Sequence, residues 1–211
     1  MAGRVPVVAV LGTTQTTAWA SSYYMPAILG APIATALHLP TSMFFGLFSA
    51  ALLLSAVIGP SVGRLIDRHG GRVLLACSNL VIATGLVILA SAHGIIGLVI
   101  AWTVLGVGIG MGLYDPAFAA LTWLYGREAR SSITGITLIA GFASTIGWPL
   151  SALLEAHLGW RAACLAWAAL HLLLGLTLNR FLVPLAPSPA HDDAPAPTPR
   201  ASYQLRTRSS P

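Results

Sequence analysis

The chain has 211 residues, of which 56% are hydrophobic and only 8% charged, with a mean hydropathy of +0.79 and a formal net charge of +5. A soluble domain carries roughly a quarter charged residues, so this composition excludes a water-facing globular surface and reads as an all-α integral membrane protein. The basic excess comes from Arg alone, and because those residues sit at the ends of apolar stretches without forming a stripe, it does not point to nucleic acid.

Six apolar stretches are long enough to cross roughly 30 Å of hydrocarbon at about 1.5 Å per residue. They cover about 5–29, 42–63, 73–91, 95–122, 132–153 and 162–182. The first opens like a secretory signal, with Ala18-Trp19-Ala20 where a cleavage site would lie. Apolar character resumes through Tyr23, Tyr24, Met25 and Ile28, so an uncleaved span is expected. Thr13, Thr14, Gln15, Thr16 and Thr17 fall in its middle and need hydrogen-bond partners other than lipid. Helix contacts account for the threonines. Gln15, Trp19 and Tyr23 recur at i, i+4 and i+8 on one face.

Between the second and third stretches lies Gly63-Arg64-Leu65-Ile66-Asp67-Arg68-His69-Gly70-Gly71-Arg72. So charged a segment belongs in water at a bilayer surface, and Gly70 and Gly71 permit a tight reversal there. In the fourth stretch Gly106, Gly108, Gly110 and Gly112 form two pairs spaced by four, the small-residue spacing that lets membrane helices approach closely.

Asp115 follows within the same apolar run. It lies roughly 18 Å along a helix from Arg127, between the midplane and one surface, where an ionised carboxylate costs about 2.5–3.5 kcal/mol and must face protein or water. Pro116 beside it has no N–H for the carbonyl of Gly112, so the helix is expected to open at the acid. Two readings stay open for Asp115: a site for a substrate cation or proton, and a carboxylate satisfied by hydrogen bonds in a helix junction.

Trp148-Pro149 marks an expected kink in the fifth stretch. His171 in the sixth reads as a neutral histidine hydrogen-bonded to a neighbour. Residues 184–211 hold seven of the 14 Pro and read as a disordered cytoplasmic tail, which leaves 1–183 as the transmembrane domain. Ten of the 11 Arg fall on one side of this topology, which places both termini in the cytoplasm. Cys77 and Cys164 would lie toward opposite ends of different spans, too far apart for a disulfide. Abundant Ala, Gly and Arg without Lys fits a GC-rich bacterial genome, and hence an inner membrane.

The segment Gly-x-x-x-Asp-Arg-x-Gly-x-Arg at 63–72 resembles the loop between the second and third spans of the major facilitator superfamily of secondary transporters. Further marks follow in order: the Gly run 106–112 with Pro116, the Arg127-x-x-Arg130 turn leading to Gly135, and Gly159-Trp160-Arg161 at the entry to the sixth span. The resemblance covers about residues 5–182. It implies one six-span half, a 3+3 repeat, of a fold that usually has twelve spans. It also implies that the first and fourth spans line the solute path, so that Asp115, Gln15, Trp19 and Tyr23 are candidate substrate-binding residues. Gly63, Asp67, Arg68, Gly70 and Arg72 would form a gating loop that locks one access state. The basic residue that proton-coupled relatives often carry early in the fourth span is replaced here by Ala101-Trp102-Thr103.

The expected function is therefore transport of a small solute by alternating access. The alternatives are a non-transporting scaffold or partner subunit, and a fragment of a twelve-span transporter. No nucleotide loop, nucleophile motif or His pair at i, i+4 is present, so no catalytic residue, cofactor or metal ligand is assigned. No basic residue lies at the predicted core of any span, which favours neutral or cationic solutes. The partners expected are the lipid bilayer, the small-molecule solute, and a second copy or separately encoded second half.

Overall fold

In the computed structural model, which describes residues 4–185, α1 (Arg4–Trp19) runs through a π-helical turn at Ala20–Tyr24 into α2 (Met25–Ala36). The chain reverses after Leu37, and α3 (Thr41–His69) follows, with Pro40 as its extended N-terminal boundary. Then come α4 (Gly71–Ala90), α5 (Ile95–Gly112), α6 (Tyr114–Tyr125), a short 3-10 turn at Gly126–Glu128 and α7 (Ala129–Ala140). The last pieces are α8 (Ala143–Leu170), a second π-helical segment at His171–Leu176 and α9 (Thr177–Leu182). All regular structure among the described residues is helical.

The expectation of six separate spans is met only in coarser form. Three helical stretches are long and apolar enough to cross a membrane by length and composition: Thr41–His69, Gly71–Ala90, and one that runs from Ile95 to Leu182. That last stretch is interrupted where backbone dihedrals leave the helical region. Leu113 is extended (φ −81°, ψ −158°), and both Gly126 (φ 54°) and Gly159 (φ 78°) are left-handed. Inside α8 the non-helical backbone is at Gly159, while the expected site, Trp148-Pro149, keeps helical dihedrals. The tail expected at 184–211 lies outside the described residues from 186 onward.

The charged segment at 63–72 is also helical, against the expected loop. Arg64, Leu65, Ile66, Arg68 and His69 are competent helix formers, and Arg68 and His69 in the last turn complement the negative end of the helix dipole. Only Gly70 leaves the helix, at φ 77°, and its N–H closes the end by donating to the Ile66 carbonyl at 2.7 Å. Gly71 already belongs to α4 and lies against Ala120, so its role is close approach, not reversal.

Packing centres on α5, which touches both α3 and α4. Its four glycines divide between them as their spacing predicts. A Cβ on Gly106 would meet the Ala51 backbone and one on Gly110 the Ile58 side chain, both in α3. Gly108 and Gly112 face Ile82 and Ser78 of α4. Two apolar clusters result: one around Met25, Phe44, Leu86, Trp102 and Trp167, the other around Leu11, Ile66, Leu75, Leu121 and Ile136. Gly108→Val should therefore be destabilising, since the ideal Cβ lies 2.6 Å from an Ile82 side-chain carbon and 3.1 Å from the Ile82 nitrogen. Overpacking of this kind costs roughly 1–3 kcal/mol. The check is melting of the purified protein in detergent, with exposed Gly46→Ala as a control that meets no neighbour.

Polar residues occupy the level between the two clusters: Thr14 and Gln15 on α1, Ser78 and Asn79 on α4, and His171 between α8 and α9. Burial in a membrane protein leaves them no water, so they bond to one another or to backbone carbonyls. One ring nitrogen of His171, Nε2, lies 2.7 Å from the Ser21 hydroxyl and the other, Nδ1, 2.9 Å from Asn79 Oδ1. The Asn79 and Asn179 amides both donate to the Leu75 carbonyl, at 2.7 and 3.1 Å, and Thr14 donates to Asn179 Oδ1 at 3.2 Å. With Asn79 Oδ1 as acceptor, Nδ1 carries a ring proton and Nε2 pairs with the Ser21 hydroxyl, so both ring nitrogens are partnered, as expected of a hydrogen-bonded histidine. The chain ties α1, α4, α9 and both π-helical segments together.

Candidate functional site

The site is built where α5 stops and α6 starts. Pro116 provides no N–H, so the carbonyl of Gly112 has no helical donor, and Gln15 Nε2 of α1 supplies one at 2.7 Å. Leu113 turns out of the helix, and α6 restarts with Tyr114 and Asp115 in its first turn, where the free N–H groups of a helix start favour a carboxylate. Asp115 is exposed and makes no hydrogen bond or ion pair among the described residues.

Asp115 opens onto a cavity of about 610 Å³ between α1, α3 and the α5–α6 junction. Its walls include Trp19 and Tyr23 from one side, Ser55 and Gly63 from α3, and Tyr114 with Asp115 from the third side. Aromatic rings dominate the α1 wall: Trp19 lies 5.0 Å from Tyr23 and 4.7 Å from Tyr114, Tyr23 lies 5.8 Å from Phe48, and Tyr114 stacks on Phe118 at 5.1 Å. The size falls within the range of small-molecule sites, and the wall is mostly apolar with a few converging polar groups. Among the described residues, no Arg, Lys or His side chain lines it.

Three of the four residues singled out from sequence, Asp115, Trp19 and Tyr23, meet at this cavity. Gln15 does not. It is 1% exposed and turned to the Gly112 carbonyl, so it supports the junction from behind instead of lining the wall. Its Oε1 and the Nε1 of Trp19, one helical turn on, are buried without a hydrogen-bond partner among the described residues.

The expected gating residues separate in the same way. Gly63 borders the cavity, whereas Asp67 and Arg68 face outward at the far end of α3. Arg72 is spent on the bundle itself, its Nε donating to the carbonyl of Arg180 at the end of α9. Gly159-Trp160-Arg161 acts as a clasp: the left-handed glycine turns the chain, Trp160 is buried, and Arg161 lies over the Trp160 ring at 4.1 Å while donating to the Ala92 carbonyl at 2.8 Å. Cys77 and Cys164 are both free. Tyr114 and Ser55 were not evident from sequence as cavity residues; Tyr114 carried a signal, its place beside Asp115, and Ser55 carried none.

Comparison with curated proteins gives no match. The family profile described as Major Facilitator Superfamily matches residues 10–210, nearly the whole chain, in keeping with the helical, apolar architecture and with the glycine and arginine marks along it. This membrane protein therefore belongs to the major facilitator superfamily of transporters.

Proposed function

We propose that the chain moves a small solute across a bacterial inner membrane by alternating access, with the cavity at Asp115 as the solute site. The observation that carries this reading is the convergence of Asp115, Trp19 and Tyr23 on one cavity beside an opened helix junction, in a chain of this family. A carboxylate at membrane depth is costly unless it serves protein or water contacts, and here it faces a space large enough for a solute. The chain's role is passage, not catalysis.

The helical pieces between the turns at 37–40, Gly70, 91–94, Gly126 and Gly159 are read as six crossings, with 1–183 as the transmembrane domain and both termini cytoplasmic. Arg asymmetry supports that orientation. A reporter fused to the C-terminus is expected to be active in the cytoplasm, and activity confined to the periplasm would reject the topology. In this family a closed path lies between two six-span halves. The working transporter accordingly places a second such set of spans against this one, with Asp67 and Arg68 as the latch between them. Crosslinking in native membranes is expected to trap that assembly. A strictly monomeric protein that still transports would contradict it.

The direct test is Asp115→Asn, which removes charge and keeps shape. Insertion and folded yield should be unchanged while solute flux in proteoliposomes falls about tenfold or more, the factor that follows from losing about 1.4 kcal/mol in the limiting step. Unchanged flux with reduced yield would make Asp115 a structural residue of the junction.

A further inference from the structure

We infer that the Asp115 cavity selects organic cations with an apolar body, such as aryl-substituted quaternary ammonium or phosphonium ions. The inference rests on the transport reading above and adds the substrate class. Three independent features of the wall point the same way. The first is charge: Asp115 is the carboxylate on the wall, it is exposed, and it makes no hydrogen bond or ion pair among the described residues. Among the described residues, no basic side chain lines the cavity to neutralise it or to receive an anion.

The second feature is the aromatic wall. Trp19, Tyr23 and Tyr114 line the cavity and pack on one another with centroid separations of 5.0 Å and 4.7 Å from Trp19. Ring faces attract cations through their quadrupole, Trp most strongly, and sites for quaternary ammonium groups are built from such rings. A diffuse cation is also the charged group that loses least hydration on entering an apolar space. A sugar or amino acid would need many hydrogen-bonding groups, and this wall has few.

The third feature is size and shape. About 610 Å³ is more than a bare ammonium or a metal ion needs, and Leu52, Ile109 and Leu113 complete an apolar lining that suits a hydrocarbon body. The site therefore divides the ligand's work. The carboxylate fixes the charge, the indole and phenol rings share it, and the aliphatic side chains take up the remainder. Neutral isosteres keep only the last of these terms.

The test is equilibrium binding to the full chain in nanodiscs of phosphatidylglycerol, a lipid with no cationic headgroup to compete. Labelled tetraphenylphosphonium and benzyltrimethylammonium are compared with neopentylbenzene, the neutral isostere of the latter, and with benzoate. The cations should bind saturably and at least roughly tenfold more tightly than the isostere. Asp115→Asn should remove about that tenfold for the cations and leave the isostere unaffected. Trp19→Phe should weaken cation binding severalfold and Trp19→Leu more, in the order of ring quadrupoles. Equal binding of cation and isostere, or cation binding indifferent to both positions, would overturn the inference. Binding does not require flux, so the two failures separate. Cation binding without flux rejects transport alone, and flux of another solute without cation binding rejects the substrate class alone.

Discussion

Replacing His171 by Leu is expected to destabilise the purified protein by roughly 1–3 kcal/mol, because it strands the buried Asn79 Oδ1, whereas the Ser21 hydroxyl keeps the Ala18 carbonyl. Ser21 and Asn79 are 0% and 3% exposed, and each points a polar atom at the imidazole within 2.9 Å. A hydrogen bond between membrane helices is itself worth little, about 0.6 kcal/mol on average. The large term is the unsatisfied group left behind in a site that water does not reach. This gives the prediction its sharper form: His171→Leu combined with Asn79→Leu removes both sides of one bond, and the double variant should cost less than the two single costs added. The readout is unfolding in detergent by circular dichroism. Strict additivity, or a neutral His171→Leu, would show that these contacts do not hold α4 against the second π-helical segment.

The second large effect is expected at Gln15. Its amide is the donor the Gly112 carbonyl receives in place of the N–H that Pro116 lacks, so Gln15→Leu should cost roughly 1–3 kcal/mol. A double-mutant cycle isolates the cause. In a Pro116→Ala background the backbone can supply its own donor to Gly112, and Gln15→Leu should then cost about 1 kcal/mol less. Equal costs in the two backgrounds would mean that the amide serves some other purpose than bridging the opened junction. Solute binding should follow the same pattern, since the junction sets the position of Tyr114 and Asp115.

How far the sequence carries the reader depends on whether an interaction is local. Gly spacing of four along α5 dictates which faces can approach neighbours, and both pairs lie where that spacing puts them. Pro116 dictates an opened carbonyl without any knowledge of the fold. The identity of the donor was out of reach, since Gln15 and Gly112 are 97 residues apart. Placing Gln15 with Trp19 and Tyr23 on one face failed for a geometric reason. Successive steps of four residues drift by about 40° each around a regular helix, so Trp19 is already rotated by about 40° from Gln15, and the π-helical turn from Ala20 breaks the regular spacing before Tyr23. Asn79 and Asn179 gave no pattern at all, because each is a lone amide whose partners come from other helices. The charged segment at 63–72 read as a loop because its charge demanded water, but a helix end in water meets that demand equally well.

Alternating access is most directly tested at Ser55, which lines the cavity and is not fully buried. With Cys77→Ser and Cys164→Ala removing the two native thiols, Ser55→Cys places a single thiol on the cavity wall. In proteoliposomes of known orientation, a membrane-impermeant maleimide should label that thiol from either side, and a transported solute should change the ratio of the two rates. Labelling from one side only, at a rate no solute alters, would contradict the account.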